Sequence, residues 1–179
     1  MKSLLYPDDY ISSIYKADFK KLYEEGYRGV IFDVDNTLVP HNAPADDRAK
    51  AFFKELTDLG FQTLLLSNNK EPRVKTFKED AGVTAYIYKA NKPSTKGYEK
   101  AMEVMHTTKD TTLFVGDQIF TDIWGANRTG IRTIMVEPVL KWKEEIQIIL
   151  KRMVEAFILL GYKMYVKKGG EVKKVPMKS

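Results

Sequence analysis

The chain is best understood from the run Gly29-Val30-Ile31-Phe32-Asp33-Val34-Asp35-Asn36-Thr37-Leu38-Val39. It begins with apolar residues typical of a buried strand and continues into two aspartates one residue apart. Residues i and i+2 of a strand point the same way, and parallel sheets bind ligands at the carboxyl ends of their strands. Two carboxylates would then meet at one sheet edge. A strand that runs into an acidic turn explains the same residues equally well, so the run alone leaves both interpretations open.

Length and composition indicate one globular domain spanning residues 1–179. A hydrophobic fraction of 44% and a charged fraction of 30% are typical of soluble proteins with a substantial core. The chain has no cysteine, which excludes disulfides and thiolate metal sites. The first residues contain no apolar signal segment, and no apolar window is long enough to span a bilayer. These features predict a cytoplasmic protein.

The net charge of +5 comes from the C-terminal segment. Residues 139–179 contain ten basic and four acidic side chains, whereas residues 1–138 contain nineteen and twenty. A basic segment suits an acidic partner or surface, although solubility is the more common explanation. No nucleic-acid-binding motif accompanies these residues, so we expect no nucleic-acid partner.

Residues 29–137 alternate between strand and helix patterns, which predicts a three-layer, Rossmann-like α/β fold with a parallel sheet. The predicted strands are Val30–Asp33, Phe61–Leu66, Thr84–Tyr88, Thr111–Val115 and Ile131–Val136. The predicted helices are Ala45–Leu59, Glu71–Asp80, Thr95–Met105 and Thr121–Arg128.

The two ends of the chain are predicted to flank this core. Residues 1–28 are expected to be helical, with one helix starting at Pro7-Asp8-Asp9 and a second capped by Asp18. In residues 138–179, a long amphipathic helix is predicted over Leu140–Leu160. A β-hairpin around Gly169-Gly170 is predicted to follow, because the flanking residues alternate between polar and apolar.

Polar clusters follow three further predicted strands. They are Ser67-Asn68-Asn69, Asn91-Lys92-Pro93 and Gly116-Asp117-Gln118. Parallel strands bring such clusters to one crevice, so these residues should lie near Asp33. Taken singly, each cluster is equally well explained as a helix cap, a turn or a solvated lysine.

Taken together, the four clusters resemble the four motifs of the haloacid dehalogenase (HAD) superfamily of phosphotransferases. Asp33-Val34-Asp35-Asn36-Thr37-Leu38 resembles the first motif and Ser67 the second. Lys92 before Pro93 resembles the third, and Gly116-Asp117-Gln118-Ile119-Phe120-Thr121-Asp122 resembles the fourth. All four occur in the expected order over residues 28–137, and this combination is far more specific than any one motif.

The resemblance implies a phosphatase in which Asp33 is the nucleophile and forms an aspartyl-phosphate. Asp35 would be the general acid and base, a role that distinguishes phosphatases from the dehalogenases of the superfamily. Ser67 would donate a hydrogen bond to a phosphoryl oxygen, and Lys92 would offset its negative charge.

The resemblance also implies a Mg²⁺ site, because carboxylates converging on a phosphate need a cation between them. Its ligands would be Asp33, Asp117 and the backbone carbonyl of Asp35. Asp122 would orient Lys92 or a metal-bound water, with direct ligation as the alternative. Thr37 and Asn68 are further candidates for orienting the substrate or the catalytic groups.

No cap domain fits between Val39 and Ala45 or between Ser67 and Lys92, which resembles the capless subfamily IIIA. Within it, the motifs look most like the bacterial YqeG-type phosphatases, which are related to phosphatidylglycerophosphate phosphatases. This implies a large substrate, such as a phospholipid head group, in an open site.

Residues 140–160 could then contact the inner membrane face peripherally, since basic side chains border their apolar stripe. Packing on the sheet or on a second subunit of a homo-oligomer is the more common role of such a stripe. A non-catalytic phospho-ligand-binding or adaptor protein on the same fold is the alternative function.

Overall fold

A computed structural model describes residues 2–139 and 146–179, with the side chains of residues 146–149 excepted. Six strands form one sheet in the order β1-β6-β5-β2-β3-β4, and every neighbouring pair is parallel. The strands are Asp9–Ile11 (β1), Gly29–Phe32 (β2), Gln62–Leu66 (β3), Ala85–Ile87 (β4), Thr112–Gly116 (β5) and Arg132–Val136 (β6). The predicted α/β class is confirmed.

Helices cover both faces of the sheet. They are Phe19–Glu24 (α1), Asp47–Leu59 (α2), Glu71–Ala81 (α3), Thr95–Met105 (α4), Trp124–Thr129 (α5) and Ile146–Lys167 (α6). A 3-10 turn at Ile14–Lys16 precedes α1, and a π-helical turn at Ile119–Ile123 precedes α5. No helix among the described residues is long and apolar enough to cross a membrane.

Strand β2 lies at the centre of the sheet, between β3 and β5. Its side chains alternate between two hydrophobic clusters, one on each face of the sheet. Val30 and Phe32 pack with α2 and α3, whereas Ile31 packs with α4. This alternation follows from the two-residue period of a strand. Phe32 is level with Leu65 of β3 and Val115 of β5, so Asp33 is the first residue beyond the strand.

The predicted N-terminal helix at Pro7-Asp8-Asp9 is wrong, because Asp9–Ile11 is an edge strand paired with β6. The acidic residues serve long-range contacts instead of capping a helix. The Asp8 carboxylate accepts a hydrogen bond from Thr133 N at 2.8 Å, and the Asp9 carboxylate accepts one from Val175 N at 2.7 Å. The predicted cap at Asp18 is confirmed, since its side chain accepts from Lys21 N at 3.1 Å.

The predicted C-terminal hairpin is also wrong. Helix α6 continues through Gly161 to Lys167, and residues 171–175 form no strand. Gly161 allows a close contact, because a Cβ there would lie 2.8 Å from the hydroxyl of Tyr6. The ring of Tyr6 also packs on Tyr162 and Tyr165, and these contacts stabilise the extra helical turns. The predicted helix start at Leu140 lies outside the described residues.

Candidate active site

Residues from four strand ends line one cleft of 240 Å³ at the carboxyl edge of the sheet. Asp33 follows β2, Ser67 follows β3, Lys92 follows β4, and Asp117 follows β5. The cleft is lined by Asp33, Asp35, Asn36, His41, Ser67, Asn68, Asn69, Lys92, Gln118, Thr121 and Lys151. The structure therefore brings the predicted residues together, with Asp117 buried directly beside the cleft.

Lys92 is a buried cation held between two carboxylates. Its Nζ lies 2.6 Å from Asp33 Oδ1 and 2.7 Å from Asp122 Oδ1, and only 3% of its side chain is exposed. Burial alone would lower the pKa of Lys92, but the Asp122 and Asp33 carboxylates raise it above its ordinary value. Lys92 is therefore a fixed positive charge beside the predicted nucleophile.

The side chain of Asn68 holds the backbone of Lys92 through two hydrogen bonds. Its Oδ1 accepts from Lys92 N at 2.7 Å, and its Nδ2 donates to Lys92 O at 3.2 Å. These two hydrogen bonds are what the predicted orientation of a catalytic group by Asn68 would require.

Asp122 is oriented from two sides. Its Oδ2 accepts from Gln118 N at 3.1 Å, and Tyr98 donates to the Thr121 and Asp122 carbonyls at 2.7 and 3.2 Å. Gly116 makes room for this carboxylate, since a Cβ there would lie 2.6 Å from Asp122 Oδ2. Asp122 contacts Lys92 and also lies near Asp33 and Asp117, so its orienting role and direct ligation both stay predictions.

Three carboxylates could hold a cation together. Asp33, Asp117 and Asp122 each offer an oxygen, and these oxygens lie within 4.8 Å of one another. Thr37 Oγ1 lies between two of them, 3.2 Å from Asp117 Oδ1 and 3.4 Å from Asp33 Oδ2. Such an all-oxygen set fits a hard divalent cation. The carboxylate of Asp35 is not part of this group, and the predicted contribution of its backbone carbonyl stays a prediction.

The electrostatics of the cluster agree with a cation site. Burial raises the pKa of Asp33 to about 7, although Lys92 opposes this effect. Burial also raises the pKa of Asp117, against the opposing charge of Arg152. A cation bound between these groups would lower their pKa and displace their protons to solvent, so both would bind it as carboxylates.

The carboxylate of Asp35 is held by Asn69, Arg73 and Asn42, of which Asn69 belongs to one of the predicted polar clusters. Asn69 Nδ2 donates to its Oδ2 at 2.5 Å, and Arg73 Nη2 donates to its Oδ1 at 2.9 Å. The backbone N–H of Asn42 donates to Oδ1 at 2.8 Å. Arg73 is in the first turn of α3, and no sequence signal separates it from an ordinary surface arginine.

Ser67 lies at the end of β3 and is buried. Its Oγ accepts from Asn69 N at 3.1 Å. A hydroxyl that accepts in this way still has its own hydrogen to donate, as the predicted contact with a phosphoryl oxygen requires.

Helix α6 supplies two further residues that sequence reasoning missed. The Arg152 guanidinium donates to both the carboxylate and the carbonyl of Asp117. The buried Glu155 carboxylate accepts from the N–H groups of Ile119 and Phe120 at 2.7 and 3.3 Å. These contacts attach α6 to the loop and turn that carry Asp117 and Asp122. Arg152 and Glu155 are three residues apart, and oppositely charged pairs at this spacing are common on helix surfaces, so the sequence does not mark them as site residues.

The chain is similar to several known proteins. A family profile described as "HAD-hyrolase-like" matches residues 89–138. The chain is 39% identical over 140 residues to a Bacillus subtilis (strain 168) protein named "Probable phosphatase YqeG", covering 78% of this chain and 81% of the relative.

A second relative is a protein of Arabidopsis thaliana named "Phosphatidylglycerophosphate phosphatase 1, chloroplastic/mitochondrial". It is 26% identical over 94% of this chain, which spans 50% of that longer protein. A Chlamydomonas reinhardtii protein is named "Phosphatidylglycerophosphate phosphatase 1, chloroplastic". It is 27% identical to this chain, and the match covers 87% of this chain and 61% of the relative.

Solved structures share the fold at low sequence identity. The cobalt-bound deoxy-D-mannose-octulosonate 8-phosphate phosphatase of Haemophilus influenzae matches with a TM-score of 0.50 and 18% identity, over 80% of this chain and 92% of that one. A protein from Listeria monocytogenes serotype 4b matches with a TM-score of 0.53 and 18% identity, over 74% and 97% of the two chains.

Proposed function

Because the chain belongs to the YqeG-type phosphatases of the HAD superfamily, we propose that it hydrolyses phosphate monoesters through an aspartyl-phosphate on Asp33. The observation that carries the proposal is the cleft in which Asp33 lies beside the buried cation Lys92 and within an all-oxygen carboxylate cluster. Membership of a phosphatase family also favours an enzyme over a phospho-ligand-binding adaptor.

In the first step, a carboxylate oxygen of Asp33 attacks phosphorus and the bond from phosphorus to the leaving oxygen breaks. Asp35 gives its proton to that oxygen, so the product leaves as an alcohol. Ser67 donates its hydroxyl hydrogen to a phosphoryl oxygen, and Lys92 offsets the negative charge of the transferring group. Asn69 and Arg73 hold Asp35 in place for this proton transfer.

In the second step, water attacks the phosphorus of the aspartyl-phosphate. Asp35 takes a proton from this water, the bond between Asp33 and phosphorus breaks, and inorganic phosphate forms. Asp33 and Asp35 are then restored to their starting states. The same carboxyl group of Asp35 therefore acts first as acid and then as base.

We assign Mg²⁺ as the cofactor, with Asp33, Asp117 and the carbonyl of Asp35 as its protein ligands. When bound, it would neutralise the carboxylates and the phosphoryl oxygens. The name of a related structure records cobalt, which supports a divalent site in this fold. In this assignment Asp122 is not a metal ligand, and its ion pair with Lys92 holds that lysine beside Asp33.

The proposed substrate is a phosphate monoester on a large head group, such as phosphatidylglycerophosphate. The names of two relatives support this class, as does a cleft that no inserted domain covers among the described residues. The exposed Lys151 at its rim adds a positive charge where an anionic substrate would approach.

The proposal is tested by measuring release of inorganic phosphate from a generic aryl phosphate and from phosphatidylglycerophosphate in the presence of Mg²⁺. We expect hydrolysis of both, with loss of activity in a folded Asp33→Asn variant. Absence of hydrolysis with every phosphate ester would overturn the proposed reaction. Hydrolysis of the aryl ester together with a preference for sugar phosphates or nucleotides would overturn only the substrate.

A further inference from the structure

Helix α6 carries a row of large apolar side chains that no part of the described chain covers. Its members, each more than half exposed, are Leu150, Met153, Val154, Phe157, Leu160 and Met164. Phe157 is the most exposed, at 76%. Positions three and four apart share one side of a helix, so these residues form one strip about 21 Å long. Monomeric proteins rarely leave so much continuous apolar surface uncovered.

The opposite side of α6 is already packed against the protein. Glu155 and Tyr162 are buried there, and Ile158 and Leu159 pack against the cluster formed by Ile119, Ile123 and Met135. The position of the helix is therefore fixed by contacts that do not involve the apolar row. The row lies on the side of α6 that no described residue covers.

The charge around the row is positive. Lys151, Lys163, Lys167 and Lys168 are all exposed. Glu155 is the only acidic residue between positions 150 and 168, and it is buried. Two copies of the helix packed through this row would bring lysines together without an exposed acidic partner between positions 150 and 168. An anionic surface would instead satisfy both the lysines and the apolar side chains.

The row also adjoins the catalytic cleft. Lys151 follows Leu150, the first residue of the row, and lines the cleft together with Asp33 and Lys92. A surface that covers the row would therefore lie next to the cleft at the N-terminal end of α6.

We propose that the apolar row of α6 inserts into the head-group region of an anionic phospholipid bilayer, while the flanking lysines contact the lipid phosphates. The inference deepens the proposed function, on which it rests for its biological purpose, because a lipid phosphomonoester would then be presented beside the cleft. Binding itself requires no turnover, so the two proposals are tested separately.

The test is co-sedimentation of the full chain with vesicles of phosphatidylcholine, with and without phosphatidylglycerol. We expect binding to the mixed vesicles that weakens with added salt, and much weaker binding to phosphatidylcholine alone. Phe157→Glu should weaken binding about tenfold or more, because a charge would enter the head-group boundary. Lys163→Glu/Lys167→Glu should also weaken it. Val104→Glu on α4, where the valine is 40% exposed, is the matched control and should bind like the wild type.

Failure of the wild-type protein to bind mixed vesicles would overturn the inference, and so would unchanged binding by Phe157→Glu. Self-association that Phe157→Glu abolishes, without vesicle binding, would show that a second copy covers the row and would also overturn it. Turnover of an aryl phosphate by Phe157→Glu checks that the variant is folded. If the wild-type protein hydrolyses the aryl phosphate but does not bind vesicles, only this inference is rejected. If it binds vesicles but hydrolyses no phosphate ester, only the proposed reaction is rejected.

Discussion

Replacing Gly116 with alanine would displace the contact between Asp122 and Lys92 without removing any functional group. The added Cβ would lie 2.6 Å from Asp122 Oδ2 and 2.7 Å from its Cβ and Cγ. Ordinary contact begins at 3.4 Å, so Asp122 must move by about 0.8 Å in a close-packed interior. Gly116 does not have a positive φ, and the backbone itself accepts alanine without strain.

This movement is large compared with the tolerance of the site. Asp122 Oδ1 lies 2.7 Å from Lys92 Nζ, and a shift of this size would take the pair to the limit of a hydrogen bond. Misplacing a catalytic group by about 1 Å costs up to about 100-fold in rate. We therefore expect kcat/KM to fall about 10- to 100-fold, equivalent to about 1.4–2.7 kcal/mol of transition-state stabilisation. The free energy of unfolding should fall by about 1–3 kcal/mol.

The assay is steady-state hydrolysis of an aryl phosphate with Mg²⁺, together with urea unfolding of each variant. Gly82→Ala is the control, because Gly82 has φ 73° and open space around its Cβ position. It should lose about 1–2 kcal/mol of stability through backbone strain while keeping its kcat/KM. A folded Gly116→Ala protein with the kcat/KM of the wild type would refute the argument that Asp122 positions Lys92.

Three further perturbations test other parts of the site. Arg73→Met should lower kcat about tenfold or more for alkyl phosphates, whose leaving groups need a proton from Asp35, and Arg73→Lys should recover part of the lost kcat. A kcat of Arg73→Met equal to that of the wild type in steady-state assays would contradict the role of Arg73 in positioning Asp35. Mg²⁺ should raise the Tm of the wild type measured by calorimetry, because it binds only the folded state, and Asp117→Asn should abolish that rise. An equal rise in Tm for the variant would show that the metal binds at another site. Glu155→Ala should cost about 1–3 kcal/mol in urea unfolding, since the buried N–H of Ile119 and the half-buried N–H of Phe120 lose their acceptor. Burial raises the pKa of Glu155 above 4.5, so the native state keeps this proton longer than the unfolded chain. The stability of the wild type should therefore fall relative to Glu155→Gln as pH rises from 4.5 through the folded pKa, and a difference independent of pH would contradict the burial of this charge.

The core and the main site residues were predictable because their signals are local. A run such as Val30–Phe32 specifies a buried strand, and a parallel sheet requires the residues after each strand to converge. Asp33, Ser67, Lys92 and Asp117 therefore follow from short patterns and from the resemblance of their motifs.

Features that depend on distant contacts were not predictable in this way. The Asp8 and Asp9 carboxylates resemble a helix cap, but their hydrogen bonds with Thr133 and Val175 select an edge strand. Gly161 resembles a helix end until the close packing of Tyr6 is known. Arg152 reaches Asp117 only because of how α6 lies against the sheet, a position that no local pattern specifies.

Phosphorylation of Asp33 during turnover can be detected by mass spectrometry of the acid-quenched protein. The best sample is Asp35→Asn turning over an aryl phosphate with Mg²⁺. An aryl leaving group needs no proton, so the first step proceeds, while loss of the base slows hydrolysis of the intermediate. We expect a phosphorylated peptide with the phosphate on Asp33, and none in Asp33→Asn. Turnover by the wild type with no phosphate on Asp33 in either protein, or phosphate on another residue, would contradict it.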